Sequence, residues 1–330
     1  MKELFRTVVV PEKSARLLDH SDIVLVAGSC FAEHIGACIA ENKFKCIVNP
    51  SGVLFNPLSI CSMIERLLEK KAFTENDLFF HEGMWRSFDH HSSFSGPEKN
   101  ETLEKINREF NRAESYLGRL DVLIITLGTS FVYFHKEQAR AVANCHKLPH
   151  EVFERRLCGI DQTCEALDRT LSALRQIRPG LFVIMTVSPV RHLRDDPHEN
   201  QISKAYLMSS IEKLREMHSF IHYFPAYEIM MDDLRDYRFY DRDMVHPSEI
   251  AIDYIWDAFT SSCISDRSQA FMRDYAPVRE AMKHRIRNTS ISSEFVQKNL
   301  QILRRLGESY RDIDLSEELD YFSKIKPSSV

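Results

Sequence analysis

The chain has 330 residues, of which 44% are hydrophobic and 28% charged, and its formal net charge is −5. This composition is typical of a globular protein, and the acidic balance lacks the basic footprint of a nucleic-acid-binding protein. No run of about eighteen apolar residues predicts a transmembrane helix. Near the N-terminus, the apolar stretch Val8 to Val10 is too short for a signal-peptide core. We therefore expect a cytoplasmic protein that binds neither nucleic acid nor membranes.

Apolar runs alternate with segments of helical periodicity along the first 265 residues. In chain order the pattern predicts DIVLVAG (strand), FAEHIGACIAEN (helix), FKCIVNPSG (strand), NPLSICSMIERLLEKKAF (helix), RLDVLIITLGTS (strand), TCEALDRTLSALRQIRP (helix), GLFVIMTVSPV (strand), ISKAYLMSSIEKLREMHS (helix), IHYFPAYEIM (strand) and PSEIAIDYIWDAF (helix). Strands that are apolar throughout and separated by helices indicate a parallel sheet covered on both faces. The predicted fold class is therefore a three-layer α/β/α domain.

Two regions fall outside this alternation. Residues 72–116 contain the aromatic and polar patch MWRSFDHHSSFSG, which suggests an insertion or lid at the sheet edge. Residues 266–330 are charged and helical, with an apolar face along EFVQKNLQILRRL. We therefore predict an α/β domain over residues 1–265 and a helical appendage over residues 266–330. The appendage is a candidate contact in a homo-oligomer, and a solvated tail is an equal alternative for its last fifteen residues.

The ends of the predicted strands are the places to look for function, because ligands of such sheets bind beyond the carboxyl ends of the strands. The strands end in Gly28-Ser29-Cys30, Asn49-Pro50-Ser51-Gly52, Gly128-Thr129-Ser130 and Ser188-Pro189-Val190-Arg191-His192. The first of these ends carries two nucleophile-capable side chains where a helix begins. A helix N-terminus, together with a nearby imidazolium, lowers the pKa of a thiol, so we expect Cys30 to be a reactive thiolate.

A second candidate is the stretch YDRDMVHPSE, which supplies Asp243 and His246. A D-x-x-H spacing lets the carboxylate fix the tautomer of the imidazole and stabilise the imidazolium, as in a catalytic triad. The same spacing also occurs by chance, and His246 could instead cap the following helix or form only a local hydrogen bond. Alone, the motif therefore leaves both a catalytic and a structural role open.

The pairing of a nucleophile after the first strand with a D-x-x-H loop before the last helix resembles the SGNH (GDSL-type) hydrolases. More narrowly, the chain resembles the GSCFA family, whose name is spelled here by residues 28–32. The resemblance continues in NPSGVLFNP, VANCHKLP, TVSPVRHLRD, NQISKAYL and FPAYEIMMDDLRDYRFYDRDMVHPS, and covers about residues 20–262. It implies an SGNH-like fold and chemistry on ester bonds without a metal or a nucleotide.

Position by position, the resemblance implies a role for four strand-end residues. Cys30 stands at the nucleophile position, and Ser29 stands where the superfamily has an aspartate. Gly52 matches the glycine whose N–H binds the oxyanion, and Ser130 places a hydroxyl where the superfamily has an amide. These departures leave three possibilities open: Cys30 as the nucleophile, Ser29 as the nucleophile with Cys30 packed beneath it, or no nucleophile.

Further polar residues are expected on the ligand side of the sheet. The candidate substrate-binding residues are Asn144, His146, Arg191, His192 and His91. Arg191 suits a carboxylate or phosphate, with a salt bridge to Asp195 or Asp196 as the alternative. His90 and His91 are metal ligands by type, but no further ligand joins them at a suitable spacing.

The remaining cysteines give no reason to expect a cofactor. They are Cys38, Cys46, Cys61, Cys145, Cys158, Cys164 and Cys263, and none of the eight forms a C-x-x-C pair. We expect most of them to be reduced and buried as small hydrophobes. The sequence therefore predicts neither a metal nor an organic cofactor.

The functional hypothesis is an acyl-transfer enzyme, either an esterase or an O-acyltransferase, that uses Cys30 or Ser29 with His246 and Asp243. The resemblance makes a small-molecule or carbohydrate ester the expected substrate. A second hypothesis is a catalytically silent domain of the same fold that binds a glycan or a protein. The departures from the superfamily pattern at the first and third motifs motivate this second hypothesis.

Overall fold

The computed structural model describes residues 6–192, 194–284 and 293–325. The strands are β1 Ile23–Gly28, β2 Lys45–Val48, β3 Phe79–His81, β4 Met84–Arg86, β5 Val122–Leu127, β6 Phe131–His135, β7 Arg140–Val142, β8 Phe153–Leu157, β9 Phe182–Val187 and β10 Ile221–Tyr223. The helices are α1 Cys30–Glu41, α2 Pro57–Leu68, α3 Lys99–Leu117, α4 Ile160–Ile177, α5 Pro197–Met217, α6 Ala226–Glu228, α7 Glu249–Cys263, α8 Asp266–His284, α9 Ser293–Ser309 and α10 Ser316–Ser323.

Five parallel strands form the central sheet, in the order β10-β9-β5-β1-β2. The chain winds outward from β1 in both directions, so the strand order reverses between β1 and β5. The chain leaves the carboxyl ends of these two strands toward opposite faces of the sheet, to α1 after β1 and eventually to α4 after β5, and the crevice between the two connections is the usual ligand position in a doubly wound sheet. All five strands predicted from the sequence are present, although β10 ends before Pro225, whose ring and missing N–H disfavour a longer strand.

Both faces of the central sheet are covered by helices, which confirms the predicted three-layer α/β/α class. Alternate residues of each strand point to opposite faces. Side chains such as Leu123 and Ile125 pack in one cluster with α2, α3, α4 and α5, whereas Val122 and Ile124 pack in the other with α1 and α7. Hydrophobic burial on the two faces thus fixes the register of the sheet.

The region predicted as an insertion is only partly separate from the core. Its first part contains the hairpin of β3 and β4, but α3 buries Ile106, Phe110 and Leu117 against the central sheet. Sequence reasoning also missed a second small sheet, in the order β7-β6-β8, that lies between β5 and α4. Strands β7 and β8 carry charged side chains, and β6, although mostly apolar, is short and follows β5 after only three residues.

The three C-terminal helices form a bundle with its own apolar cluster, which includes Phe271, Leu303 and Phe322. The apolar face of α9, considered above as an oligomer contact, is therefore buried within the chain. A solvated tail is wrong for the described part of the last fifteen residues, because α10 buries Glu318 and Phe322. The remainder, residues 326–330, lies outside the described residues. Lys43 pairs with Glu318 at 2.9 Å and ties the bundle to the α/β domain.

The described part of the chain contains no helix with both the length and the apolar character needed to cross a bilayer.

Gly28, at the end of β1, sits where the backbone of β5 approaches most closely. Its φ is +143°, and a Cβ built there would lie 2.2 Å from the carbonyl oxygen of Thr126. Only glycine fits both this φ and this space. The loop that follows β2 is tied to the same point, because Gly28 N–H donates to the Asn49 side chain and the Gly28 carbonyl accepts from Leu54 N–H.

We expect Gly28→Ala to destabilise the fold by about 3 kcal/mol or more, because the new Cβ must separate β1 from β5 or strain the backbone. Gly118→Ala is the matched control, since a Cβ at this exposed glycine meets no atom within 4 Å, and its effect should stay within about 0.5 kcal/mol. Urea unfolding followed by circular dichroism measures both values. Equal stability of the two variants would contradict the close approach of the strands.

Candidate active site

The turn from β1 into α1 delivers Cys30 to the carboxyl edge of the sheet. Ser29 is the N-cap of α1, with an extended backbone, and Cys30 is the first helical residue. The half-buried Cys30 Sγ lies 3.4 Å from Nε2 of His246. The structure thus joins two residues that are 216 positions apart in the sequence.

The D-x-x-H loop orients the imidazole. The Asp243 Oδ2 lies 2.6 Å from His246 Nδ1, and Asp243 Oδ1 accepts hydrogen bonds from the backbone N–H groups of Val245 and His246. The hydrogen bonds from the His246 backbone and ring are the main causes that lower the pKa of Asp243 to about 2. With His246 Nδ1–H directed to the carboxylate, Nε2 presents its lone pair to the sulfur. The helix cap is a different residue, Ser248, whose hydroxyl accepts from Ala251 N–H.

The thiol differs from the sequence expectation in its protonation. Burial raises the pKa of Cys30 above its ordinary value and outweighs the opposing effects of the Cys30 and Phe31 N–H groups and of Lys204. The prediction of a lowered thiol pKa, based on the helix N-terminus and a nearby imidazolium, is therefore wrong. A protonated resting thiol assigns His246 the role of a general base that removes the proton during attack.

The competing nucleophile, Ser29, is almost fully enclosed. Its side chain is 1% exposed, and within the described residues its Oγ has no hydrogen-bond partner. The imidazole of His246 contacts the sulfur of Cys30, so the geometry favours Cys30 over Ser29 as the nucleophile.

The two oxyanion donors expected from the resemblance are engaged elsewhere. Gly52 N–H donates to the Asn49 carbonyl at 2.7 Å within a tight turn, and the Ser130 hydroxyl donates to the Ser203 carbonyl at 3.0 Å. Ser130 is also fully buried. Neither group is free to bind a developing oxyanion, so the prediction that Gly52 and Ser130 are oxyanion donors is wrong. The turn instead requires glycine at position 52 because the backbone φ is +74° there. A Cβ at this position would also lie only 2.4 Å from the side chain of His91.

The first turn of α1 supplies alternative donors. The first N–H groups of a helix have no intrahelical partner, and those of Cys30 and Phe31 interact favourably with the sulfur. An acyl carbon bonded to that sulfur would place its oxygen within the same region of positive potential.

A functional candidate that sequence reasoning missed is Lys204 on α5. It is fully buried, and its Nζ donates to the carbonyls of Gly128 (2.6 Å) and Ser188 (2.7 Å), which follow β5 and β9. Burial lowers the pKa of Lys204 to about 7, and Cys30 opposes this shift. The sequence does contain a signal for this burial: Lys204, within NQISKAYL, lies on the same helical face as the apolar residues Leu207 and Ile211.

A pocket of about 740 Å³ is lined by residues of the second sheet, such as Phe131 and Tyr133, and by His192, which lies close enough to His246 for their charges to interact. Four of the five predicted substrate-binding residues line it, namely His91, Asn144, His146 and His192. The fifth, Arg191, is not among its lining residues and donates to Gln201 and Tyr227. The alternative salt bridge of Arg191 to an aspartate is absent among the described residues, where Asp195 pairs with Arg155 and Asp196 caps α5.

His90 has a structural environment. It is buried between Phe73 and Phe94, and its Nδ1 lies 2.9 Å from the Ser87 hydroxyl. Burial lowers the pKa of His90 to about 3. Over the ranges that the structure describes, no group of three or more potential ligand residues could hold a metal ion.

Comparison with known families agrees with the motif at the start of α1. The model of the GSCFA family matches residues 23–259. The chain belongs to the GSCFA family. A search of curated proteins finds no match. The segment shared with the GSCFA family contains Cys30, Lys204, Asp243 and His246 and ends within α7, so the C-terminal bundle of α8, α9 and α10 lies beyond it.

We expect alkylation of Cys30 by iodoacetamide to keep rising with pH through the neutral range, because the raised pKa leaves little thiolate at pH 7. The rate should increase about tenfold per unit between pH 7 and pH 9, and should be slower at pH 7 than that of N-acetylcysteine. Peptide mass spectrometry assigns the label, with Cys30→Ala as the blank. A plateau below pH 7 would show a low-pKa thiolate instead.

Lys204 should make stability depend on pH. Folding lowers its pKa from 10.5 to about 7, so the unfolded chain binds more protons between these values and stability rises with pH across this window. Relative to Lys204→Met, the wild type should gain about 2 kcal/mol from pH 7.5 to 9.5 in urea unfolding. The control is Lys213→Met, at an exposed position of the same helix. The difference in unfolding free energy between the wild type and this variant should stay the same from pH 7.5 to 9.5. A pH-independent difference for Lys204→Met would refute a shifted pKa.

Proposed function

We propose that this protein is an acyl-transfer enzyme in which Cys30 is the nucleophile. The observation that carries the proposal is the row formed by the Cys30 sulfur, the His246 ring and the Asp243 carboxylate, with contacts of 3.4 and 2.6 Å. The row lies at the carboxyl edge of the sheet, beside the switch point between β1 and β5. A nucleophile, a base and a group that orients the base are the elements of a catalytic triad.

In the proposed acylation, His246 Nε2 takes the proton of Cys30 as the sulfur attacks the acyl carbon. The carbonyl oxygen becomes an oxyanion and accepts hydrogen bonds from the Cys30 and Phe31 N–H groups. The tetrahedral intermediate then collapses, the bond to the leaving oxygen breaks, and His246 returns the proton to that oxygen. Asp243 stabilises the imidazolium during the transfer. The product is an acyl thioester on Cys30.

A second nucleophile then releases the acyl group. Water gives an esterase, and the hydroxyl of an acceptor gives an O-acyltransferase; in both cases His246 removes the proton of the attacking oxygen and returns it to the thiolate. The resemblance to SGNH hydrolases supports an ester substrate, such as an acylated carbohydrate. All eight cysteines are free, which supports the proposal of a reducing compartment such as the cytoplasm.

A second candidate function is a binding domain without catalysis. Two observations favour it: Gly52 N–H and the Ser130 hydroxyl are engaged in structural hydrogen bonds, and burial raises the pKa of the Cys30 thiol. Trapping of an acyl-enzyme distinguishes the acyl-transfer enzyme from a binding domain without catalysis.

Incubation with 4-nitrophenyl acetate should add one acetyl group to the protein, detected by intact mass, and peptide mapping should place it on Cys30. Cys30→Ala should abolish the adduct, and His246→Ala should slow its formation at least about 100-fold because the general base is lost. Cys38→Ala removes another half-buried thiol of the same helix and should leave the rate unchanged.

An adduct on Ser29 would replace the proposed nucleophile and keep the reaction class. If the folded protein forms no adduct with this ester or with acetyl-coenzyme A, acyl transfer is refuted and the binding function is favoured.

A further inference from the structure

The lining of this pocket includes both His192, which is close to His246, and a group of cationic side chains. His192 is in edge-to-face contact with Phe55 at 5.0 Å. Burial, Lys204 and His246 lower the pKa of His192 to about 4, so its ring is neutral at pH 7. The volume of about 740 Å³ is within the range of small-molecule binding sites.

Three segments supply the cationic side chains of the lining, namely Arg155 on β8, Lys147 in the loop after β7 and Arg194 in the loop after β9. Asp195 is the only carboxylate in the lining, and it pairs with Arg155. No carboxylate in the described ranges pairs with Arg194 or Lys147. The lining therefore carries an excess of about two positive charges that no acidic residue balances.

Each of the two guanidinium groups lies over an aromatic ring. Arg155 lies over Phe131 at 3.4 Å from the ring centroid, and Arg194 lies over Tyr133 at 4.9 Å. Residues 131 and 133 of β6 point to the same face of their sheet, so the two stacks stand next to each other. Stacking on a ring orients a guanidinium while leaving its N–H donors free for a planar oxyanion.

Unpaired polar atoms lie in the same lining. His146 Nε2 lies 2.7 Å from the Ser87 carbonyl, so that nitrogen carries the proton, and the buried Nδ1 has no partner in the described part of the chain. The buried Tyr133 hydroxyl likewise has no described partner. A substrate with hydroxyl groups beside its anionic group would satisfy such atoms.

We propose that this pocket binds the oxyanionic group of the substrate, a phosphate or a carboxylate, through Arg194 and Lys147, and so orients the ester toward Cys30. The orientation rests on the proposed acyl transfer, whereas the binding of the anion does not. Arg155 contributes its remaining donors but is partly neutralised by Asp195. The inference narrows the substrate class to esters or thioesters that carry an anionic group remote from the acyl carbon.

Isothermal titration calorimetry tests binding without catalysis, with pyrophosphate and malonate as separate probes at low ionic strength. We expect at least one probe to bind to the wild type and to bind about tenfold or more weakly to Arg194→Gln. Arg304→Gln, which removes the same charge from an exposed position of α9, should leave binding unchanged. The tighter probe identifies the phosphate or the carboxylate as the preferred group.

A matched pair of thioesters tests orientation. Acetyl-coenzyme A carries phosphates, whereas S-acetyl-N-acetylcysteamine has the same reactive group and no charge. Arg194→Gln should slow acetylation of Cys30 by the charged donor about tenfold and leave the neutral donor unchanged. If pyrophosphate binds more tightly than malonate in the calorimetry, Arg194→Gln must also slow acetylation by acetyl-coenzyme A selectively.

The outcomes separate the two proposals. Absence of heat with both probes, or equal binding by Arg194→Gln and wild type, would overturn the anion site even if Cys30 is acetylated. Failure of every donor to acetylate Cys30, with anion binding lost in Arg194→Gln, would overturn acyl transfer and keep the anion site.

Discussion

The close approach of β1 to β5 at Gly28 is the constraint on which the candidate site depends. It lets the chain turn directly from a buried strand into α1, so that Cys30 emerges at the edge of the sheet rather than beneath it. The same point anchors the loop after β2 through Asn49 and Leu54. The loop then crosses to β5, where the Phe55 carbonyl accepts from Gly128 N–H. The crevice is therefore shaped by backbone contacts, and the reactive side chains only line it.

Lys204 has a complementary role at the same edge. Its ammonium group lies between the ends of β5 and β9 and donates to the carbonyls of Gly128 and Ser188, which follow these two strands. A buried ammonium costs free energy unless it is hydrogen-bonded, so its retention requires a compensating benefit. A positive charge close to Cys30 favours the thiolate and the anionic intermediate, which burial of the thiol disfavours. Lys204 thus offsets part of the cost that the half-buried sulfur creates.

Local patterns predicted the central sheet, and they predicted that Asp243 can reach the ring of His246. The apolar runs of β1, β5 and β9 are long and uninterrupted, and the hydrogen bonds of Asp243 to Val245 and His246 lie within the four residues of the D-x-x-H motif. What the sequence could not provide is the pairing of groups that are distant in the chain. Ser130 is at a strand end as expected, but its hydroxyl is engaged by Ser203 on α5. The thiol pKa likewise depends on burial by the whole domain, which the position of Cys30 at a helix N-terminus does not reveal.

The distribution of charge around the crevice predicts how an anionic substrate is oriented in it. Among the described residues near the Cys30 sulfur, His192 is neutral at pH 7 and Lys204 donates to two carbonyls, while Arg191 donates to Gln201 and Tyr227. Elsewhere in the pocket lining, Arg194 and Lys147 are exposed and pair with no carboxylate of the described residues. An anion is drawn to the end where its desolvation cost is lowest and its partners are cationic. The uncharged acyl carbon is then left beside Cys30, which is the arrangement that attack by a buried, protonated thiol requires.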